Sequence, residues 1–207
     1  MIITYHGKGH IKLVTGDVTL SLGPVSKSSK RRQTKYGSDI AMLPLIHPDY
    51  DGVDNVTLGN KTPFVIKGAG EYEVNNIFVN TFSSKVNREK IDYMANSFVF
   101  NFDGMRIVYI GQIKELLPSE HKEIIDEVDI LFVPISGDEM NLNPYDAYKL
   151  SLGLEPKIII PIDYNEKTLP IFLKESSSDE VKLVEKLTIK KKDLVDKKSE
   201  VILLEEL

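Results

Sequence analysis

The side chains best suited to chemistry lie in Asp39-Ile-Ala-Met-Leu-Pro-Leu-Ile-His-Pro-Asp-Tyr-Asp51, an apolar run that ends in His47 and Asp49, with Asp54 close behind. One imidazole with several carboxylates is a donor set for Zn, Mn or Fe, unlike a thiolate site. Two ligands do not close a zinc shell, which takes three or four. The same residues also read as an Asp-rich turn in which Asp49 or Asp51 caps a short helix through Asn55. Both readings stay open on the sequence alone.

A second group is cationic. Lys27, Lys30, Arg31, Arg32 and Lys35 fall within nine residues, interleaved with hydroxyls and followed by Tyr36. Such an anion-binding loop can neutralise the phosphates of RNA, DNA or a phosphorylated metabolite, and its binding weakens steeply with salt. The plainer reading is a solvated loop. Glu71 and Glu73 share one face of a strand and read as solvated glutamates on an edge. His6 and His10 are separated by Gly7 and Gly9, which gives a turn rather than a helical ligand pair, with His6 able to line a cleft beside Lys8. His121 opens a charged helix and reads as solvent-facing. There is no Gly-x-Ser-x-Gly elbow and no glycine-rich phosphate loop opening a helix.

The elements that must hold these groups are short strands first, then strands alternating with helices. Met1–Tyr5, His10–Val14 and Val18–Leu22 are bounded by glycines and form a meander. Ile40–Leu45 is apolar on both faces, as a strand buried in a layered sheet requires. Pro63–Ile66, Glu71–Val74, Ile77–Phe82, Ser97–Phe102 and Arg106–Ile110 continue the series, with Asp103-Gly104 as a hairpin turn. The spacing then predicts a helix over Pro118–Val128 behind a Ser119 cap, a strand over Ile130–Ile135 and a helix from Asn143-Pro144 to Leu152. A strand over Lys157–Ile162, a short helix over Leu169–Lys174 and two strands, Lys186–Lys190 and Glu200–Leu204, complete the chain. Sheets faced by helices are the implied architecture.

Composition sets the bounds. The 207 residues fit one large domain or two small ones and suffice for a sizeable core. Hydrophobic residues at 42% and charged residues at 28% are ordinary globular values, so extensive disorder is not expected. A net charge of -5 argues against a general polyanion binder, so nucleic acid is a disfavoured partner. There is no cysteine, which excludes disulfides and thiolate metal sites and is compatible with a cytoplasmic location. The first residues lack a basic-then-apolar leader, and no apolar run approaches the roughly 18 residues of a membrane span.

The stretch around His47 resembles the hallmark loop of the metallo-β-lactamase fold, His-x-His-x-Asp-His after a hydrophobic strand. Leu45 falls on the first His, His47 on the second, Asp49 on the Asp and Tyr50 on the last His. The likeness extends to the small lactonase-like branch of that fold, through Ile2-Ile-Thr-Tyr-His-Gly7, Gly70-Glu-Tyr-Glu-Val74, Val108-Tyr-Ile-Gly-Gln112, Leu131-Phe-Val-Pro-Ile135 and Pro156-Lys-Ile-Ile-Ile-Pro-Ile-Asp-Tyr164. The resemblance implies an α/β, four-layer αββα sandwich formed as one domain over residues 1–207.

The resemblance also shows where this chain departs. Gln112 falls on the metal-bridging Asp, and a neutral amide does not supply the charge that holds two divalent cations together. Asp163 falls on the last His ligand and still offers an oxygen donor. Ser83 and Ser84 lie where another His is usual, Lys8 falls on the branch's glycine-turn His, and Gly23 on the Asp of its Asp-Pro. The implied metal ligands are His47, Asp49 and Asp163, holding one divalent ion (Zn, Mn or Fe) or none. Asp49 and Gln112 are the catalytic candidates, acting through a water on a small-molecule ester or phosphoester. The competing expectation is a non-catalytic descendant that binds an anion or nucleic acid through the loop 27–35. An exposed edge strand and the branch's habit of assembling make a homo-oligomer an expectation as well.

Overall fold

The computed structural model describes residues 1–178, 181 and 183–207. Alternating apolar residues in short segments produce a series of strands: β1 (Ile2–Tyr5), β2 (Ile11–Thr15), β3 (Val18–Leu22), β4 (Ile40–Met42), β5 (Phe64–Ile66), β6 (Gly70–Val74), β7 (Ile77–Arg88), β8 (Ile91–Phe102), β9 (Met105–Tyr109), β10 (Ile130–Pro134), β11 (Ile158–Ile162), β12 (Leu183–Val184), β13 (Leu187–Thr188), β14 (Glu200–Val201) and β15 (Leu203–Leu204). Six form one sheet in the order β13-β1-β2-β3-β4-β5, and seven form a second in the order β14-β11-β10-β9-β8-β7-β6. β12 and β15 pair separately.

The two sheets face one another across a core that includes Ile3, Leu13, Leu20, Phe98, Phe132 and Ile160, all fully buried. The outer face of the seven-stranded sheet packs against α2 (Pro144–Gly153), α3 (Thr168–Glu175) and the residues Leu117, Ile125 and Val128 that flank α1 (Ser119–Ile124). β10 and β11 are therefore buried along their whole length, which is why Ile130–Pro134 and Ile158–Ile162 are continuous apolar runs. The outer face of the six-stranded sheet is covered by Tyr36, Val56 and a 3-10 turn at Val53–Asn55, against Ala41 and Leu43. Among the described residues no helix is long and apolar enough to cross a membrane.

Several elements differ from the sequence expectation, among them α1, β4, β7 and β8, while the strand expected over Glu200–Leu204 divides into β14 and β15 in different sheets. α1 stops at Ile124 because Ile125 turns into extended backbone and is buried together with Val128; its N-cap is Pro118, not Ser119. β4 ends at Met42, since the chain then leaves the sheet: Asn96 of β8 donates its backbone N–H to Pro44 O and its side-chain amide to Leu43 O. β7 and β8 run far beyond Phe82 and before Ser97. Glu89 and Lys90 turn the hairpin at φ 51° and 65°, the signs a two-residue primed turn requires. Ion pairing of Lys85 with Asp92 and burial of Val86 and Ala95 hold the extension.

Phe132 is the central aromatic of this arrangement. Phe132→Ala should lower unfolding free energy by about 3–5 kcal/mol in a denaturant titration, and a loss under about 1 kcal/mol would contradict the packing described.

Candidate functional site

β1 runs antiparallel to β2, β2 to β3, and β3 parallel to β4, so the chain exits β1 and β4 at the same edge of its sheet. In the second sheet β9, β10 and β11 are parallel and also share one exit edge. The candidate residues all follow these exits: Lys8 after β1, His47 and Asp49 after β4, Gln112 after β9, Asp138 and Asn141 after β10, and Asp163 after β11. Ligand clefts of parallel sheets open at such carboxyl ends.

The two edges are joined by a reciprocal pair of hydrogen bonds. Lys8 Nζ donates to Asp163 Oδ1 at 2.7 Å, and Asp163 N donates to Lys8 O at 2.7 Å. Both residues adopt left-handed backbone, at φ 54° and 49°, a conformation held only where the surroundings over-determine it. Tyr50 donates its hydroxyl to Asp163 Oδ2 at 2.8 Å, and Asn141 donates its amide to the same oxygen at 3.2 Å. Tyr5 donates to Lys8 O at 2.9 Å. Tyr109 donates to Gly9 O at 2.9 Å, an approach that requires glycine, because a Cβ there would lie 2.4 Å from the phenol oxygen. Burial, reinforced by the Asp163 charge, raises the Tyr5 and Tyr50 phenols, so both stay protonated as donors. Asp138 adds a second carboxylate, 3.7 Å from Lys8 Nζ. Burial works against its ionised form, but the Met140 N–H and the Lys8 charge outweigh it, leaving the carboxyl below its usual range.

His47 and Asp49 form a separate group. The Asp49 N–H donates to His47 Nδ1 at 3.2 Å, and Asp49 Oδ1 accepts the Ser29 hydroxyl at 2.5 Å. Asp49 Oδ2 lies 4.0 Å from both Arg31 Nε and His47 Nδ1. Arg88, from the end of β7, brings Nη1 to 3.4 Å from His47 Nε2. Asp49 therefore caps no helix: the 3-10 turn begins after Gly52 with no side-chain cap.

The structure does not gather His47, Asp49 and Asp163 at one point. The Tyr50 ring, 6.3 Å from the His47 ring, extends between His47 and Asp163, and both Asp163 oxygens are occupied. Among the described residues, no group of three His, Cys, Asp or Glu side chains is disposed to hold a metal ion. His47 and Asp49 supply two donors, short of the three or four a zinc centre takes. The donor set does not fit a metal centre of the kind the resemblance implies. Gln112 is buried, with Oε1 left without a hydrogen-bond partner among the described residues. Ser83, on a position where His is usual, donates to Asn96 Oδ1 instead.

The basic loop folds back over this edge, pinned by Ser26 N to Pro48 O and Gly52 N to Pro24 O. Its cations do not act as one patch. Lys30 and Arg31 border a hollow of about 520 Å³ together with His47, Asp49 and Arg88. Arg31 also borders another, of about 240 Å³, together with Arg32, His6, Lys8 and Asp163. Lys27 sits near Asp54, and Lys35 is exposed away from both hollows. Glu71 and Glu73 are exposed on edge strand β6. His121 is not solvent-facing but packs on Phe82, with ring centroids 4.5 Å apart.

Sequence reasoning missed two features. Arg88 reaches the site only because the β7–β8 hairpin is long, and Glu89-Lys90 carries no glycine or asparagine to mark its turn. His6 and His10 stack at 4.9 Å, and His10 Nε2 meets the Tyr36 hydroxyl at 2.8 Å, which in turn donates to Ser21. Burial, aided by Lys12 and Arg32, lowers His6 to about 4, and burial, aided by His6 and Lys12, holds His10 well below its ordinary value.

The sequence matches the model of the beta-lactamase superfamily domain over residues 2–163. This chain belongs to that superfamily. It is 29% identical over 199 residues to a UPF0173 metal-dependent hydrolase of Lysinibacillus sphaericus, covering 80% of this chain and 86% of that one. A metallo-beta-lactamase superfamily structure from Thermotoga maritima superposes with a TM-score of 0.75 at 22% identity, covering 98% of this chain and 97% of the other. A metallo hydrolase from Ignicoccus hospitalis gives a TM-score of 0.62 at 14% identity, with 99% and 95% covered. The two facing sheets with outer helices are the αββα sandwich of the superfamily.

Two predictions follow from the site's charges. Lys8→Met strands a buried Asp163 carboxylate and should cost about 3–5 kcal/mol in chemical denaturation. Adding Asp163→Asn should recover most of that loss, and a double variant no more stable than the single would contradict the pairing. The buried histidines bind protons less readily folded than unfolded, so the stability they contribute is complete above pH about 6.5 and is lost as pH drops towards about 4. Melting curves across that window should show the slope, and His6→Asn should remove up to about one proton's worth of it. An unchanged slope would contradict the assignment.

Proposed function

We propose that this chain is a hydrolase-like protein with a degenerate centre that takes a small-molecule ester or phosphoester and holds at most one divalent metal ion. The observation that carries this reading is the Lys8 ammonium seated between Asp163 and Asp138 at the edge where β1, β10 and β11 end. That ammonium takes up carboxylate oxygens that would otherwise be open to a metal, while the relatives are named metal-dependent hydrolases. Asp163 on this reading is the acceptor for Lys8, Tyr50 and Asn141 and not a metal ligand.

Asp49 is the proposed general base. Its Oδ1 is held by Ser29, while Oδ2 has Arg31 Nε and His47 Nδ1 each 4.0 Å away. A water bonded to Oδ2 would lose its proton there while attacking the ester. Arg31 and Arg88, across the same hollow, would stabilise the negative charge developing on the substrate oxygen. Gln112 is the proposed partner for a second water, through its unpartnered Oε1.

Metal analysis of protein purified without chelator, with turnover of a panel of esters, lactones and phosphoesters, tests the reading. The expected result is at most about one equivalent of metal and hydrolysis that falls at least about a hundredfold in Asp49→Asn. Two bound equivalents, or turnover indifferent to Asp49→Asn, would overturn it.

A further inference from the structure

We infer that the hollow between the basic loop and the end of β7, walled by Lys30, Arg31, Arg88 and Ser29, binds the phosphoryl group of a small phosphomonoester. The inference deepens the hydrolase-like reading and rests on it only for what the phosphoryl group belongs to.

Three cations border this hollow against one carboxylate, Asp49, and one oxygen of that carboxylate is already taken by Ser29. Among the described residues neither guanidinium has a carboxylate closer than 4.0 Å. Arg31 Nε stands 4.0 Å from Asp49, and Arg88 Nε stands 4.0 Å from Glu89, whose side chain is 78% exposed. Arg88 also faces His47 Nε2 at 3.4 Å, but a neutral imidazole has one acceptor nitrogen, and the Asp49 N–H competes for it at Nδ1. Among the described residues the acceptors of Arg88 are thus a contested imidazole nitrogen and an exposed carboxylate at 4.0 Å. The neighbouring Lys8 ammonium, by contrast, is neutralised at 2.7 Å by Asp163. The molecule satisfies its inner cation and leaves the outer ones open.

Two guanidiniums and an ammonium match a dianion better than a single carboxylate, because a planar fork donates two parallel bonds to a phosphoryl group. Hydroxyls of Ser28 and Ser29 line the same hollow. About 520 Å³ suits a small ligand. An extended polyanion is disfavoured by the net charge of -5 and by Glu89, Asp138 and Glu139 bordering the adjoining hollow.

Calorimetric titration of the full chain with inorganic phosphate and phenyl phosphate, at constant ionic strength set with chloride, tests the site. Saturable one-to-one binding is expected, weakened at least about tenfold in Arg31→Met and in Arg88→Met. Arg88→Lys, which keeps the charge and gives up the fork, should fall between, and the remote Lys192→Ser should bind as the parent does. Melting curves verify that each variant is folded. Absence of saturable phosphate binding, equal weakening by Lys192→Ser, or tighter binding of a short RNA without terminal phosphate than of phenyl phosphate would overturn the site. Phosphate binding with this dependence but no phosphoester turnover would support the site and count against the hydrolase reading. Ester hydrolysis untouched by phosphate would do the reverse.

Discussion

Lys8 and Asp163 hold the two sheets together at their open edge by exchanging a side-chain bond and a backbone bond. Each sits in left-handed backbone, and neither conformation would persist without the other residue's contacts. Around this link the tyrosines fall into place: Tyr5 fixes the Lys8 carbonyl, Tyr109 the Gly9 carbonyl, and Tyr50 the second Asp163 oxygen. A buried ion pair of this kind adds little net stability against its desolvation cost. What it fixes is one relative placement of the turn after β1 and the exit of β11.

That placement divides the positive charge of the cleft into two tiers. The inner tier, Lys8, is spent on the fold itself. The outer tier, Lys30, Arg31 and Arg88, arrives on a loop and a hairpin that are anchored elsewhere and meet over His47. Asp49 borders the outer group, with one oxygen fixed by the Ser29 hydroxyl and the other 4.0 Å from Arg31 and His47. On the proposed reading, attraction for an anionic substrate and assistance to a water come from the same few residues.

Much of the scaffold was legible in the sequence because its signals are local. Glycine-bounded apolar alternation marks β1 to β3, and uninterrupted apolar runs mark β10 and β11. The site was less legible because it depends on long-range pairing. Asp163 offers a carboxylate that reads as a metal donor; only the fold shows that an ammonium 155 positions away claims it. Polar residues such as Ser83, Ser84 and Asn87 hide the hairpin extension that carries Arg88. Burial of His6 and His10 is invisible at a glycine turn, where local pattern predicts exposure. The basic loop was recognisable as cationic, but which of its charges face the cleft is set by backbone bonds to Pro24 and Pro48.

Crystals soaked in Mn or Zn and measured at the metal absorption edge address the central claim most directly. The account predicts the Lys8 ammonium bonded to Asp163, with no anomalous peak within about 2.2 Å of either Asp163 oxygen. A metal ion ligated by Asp163, with Lys8 swung out of the cleft, would contradict it.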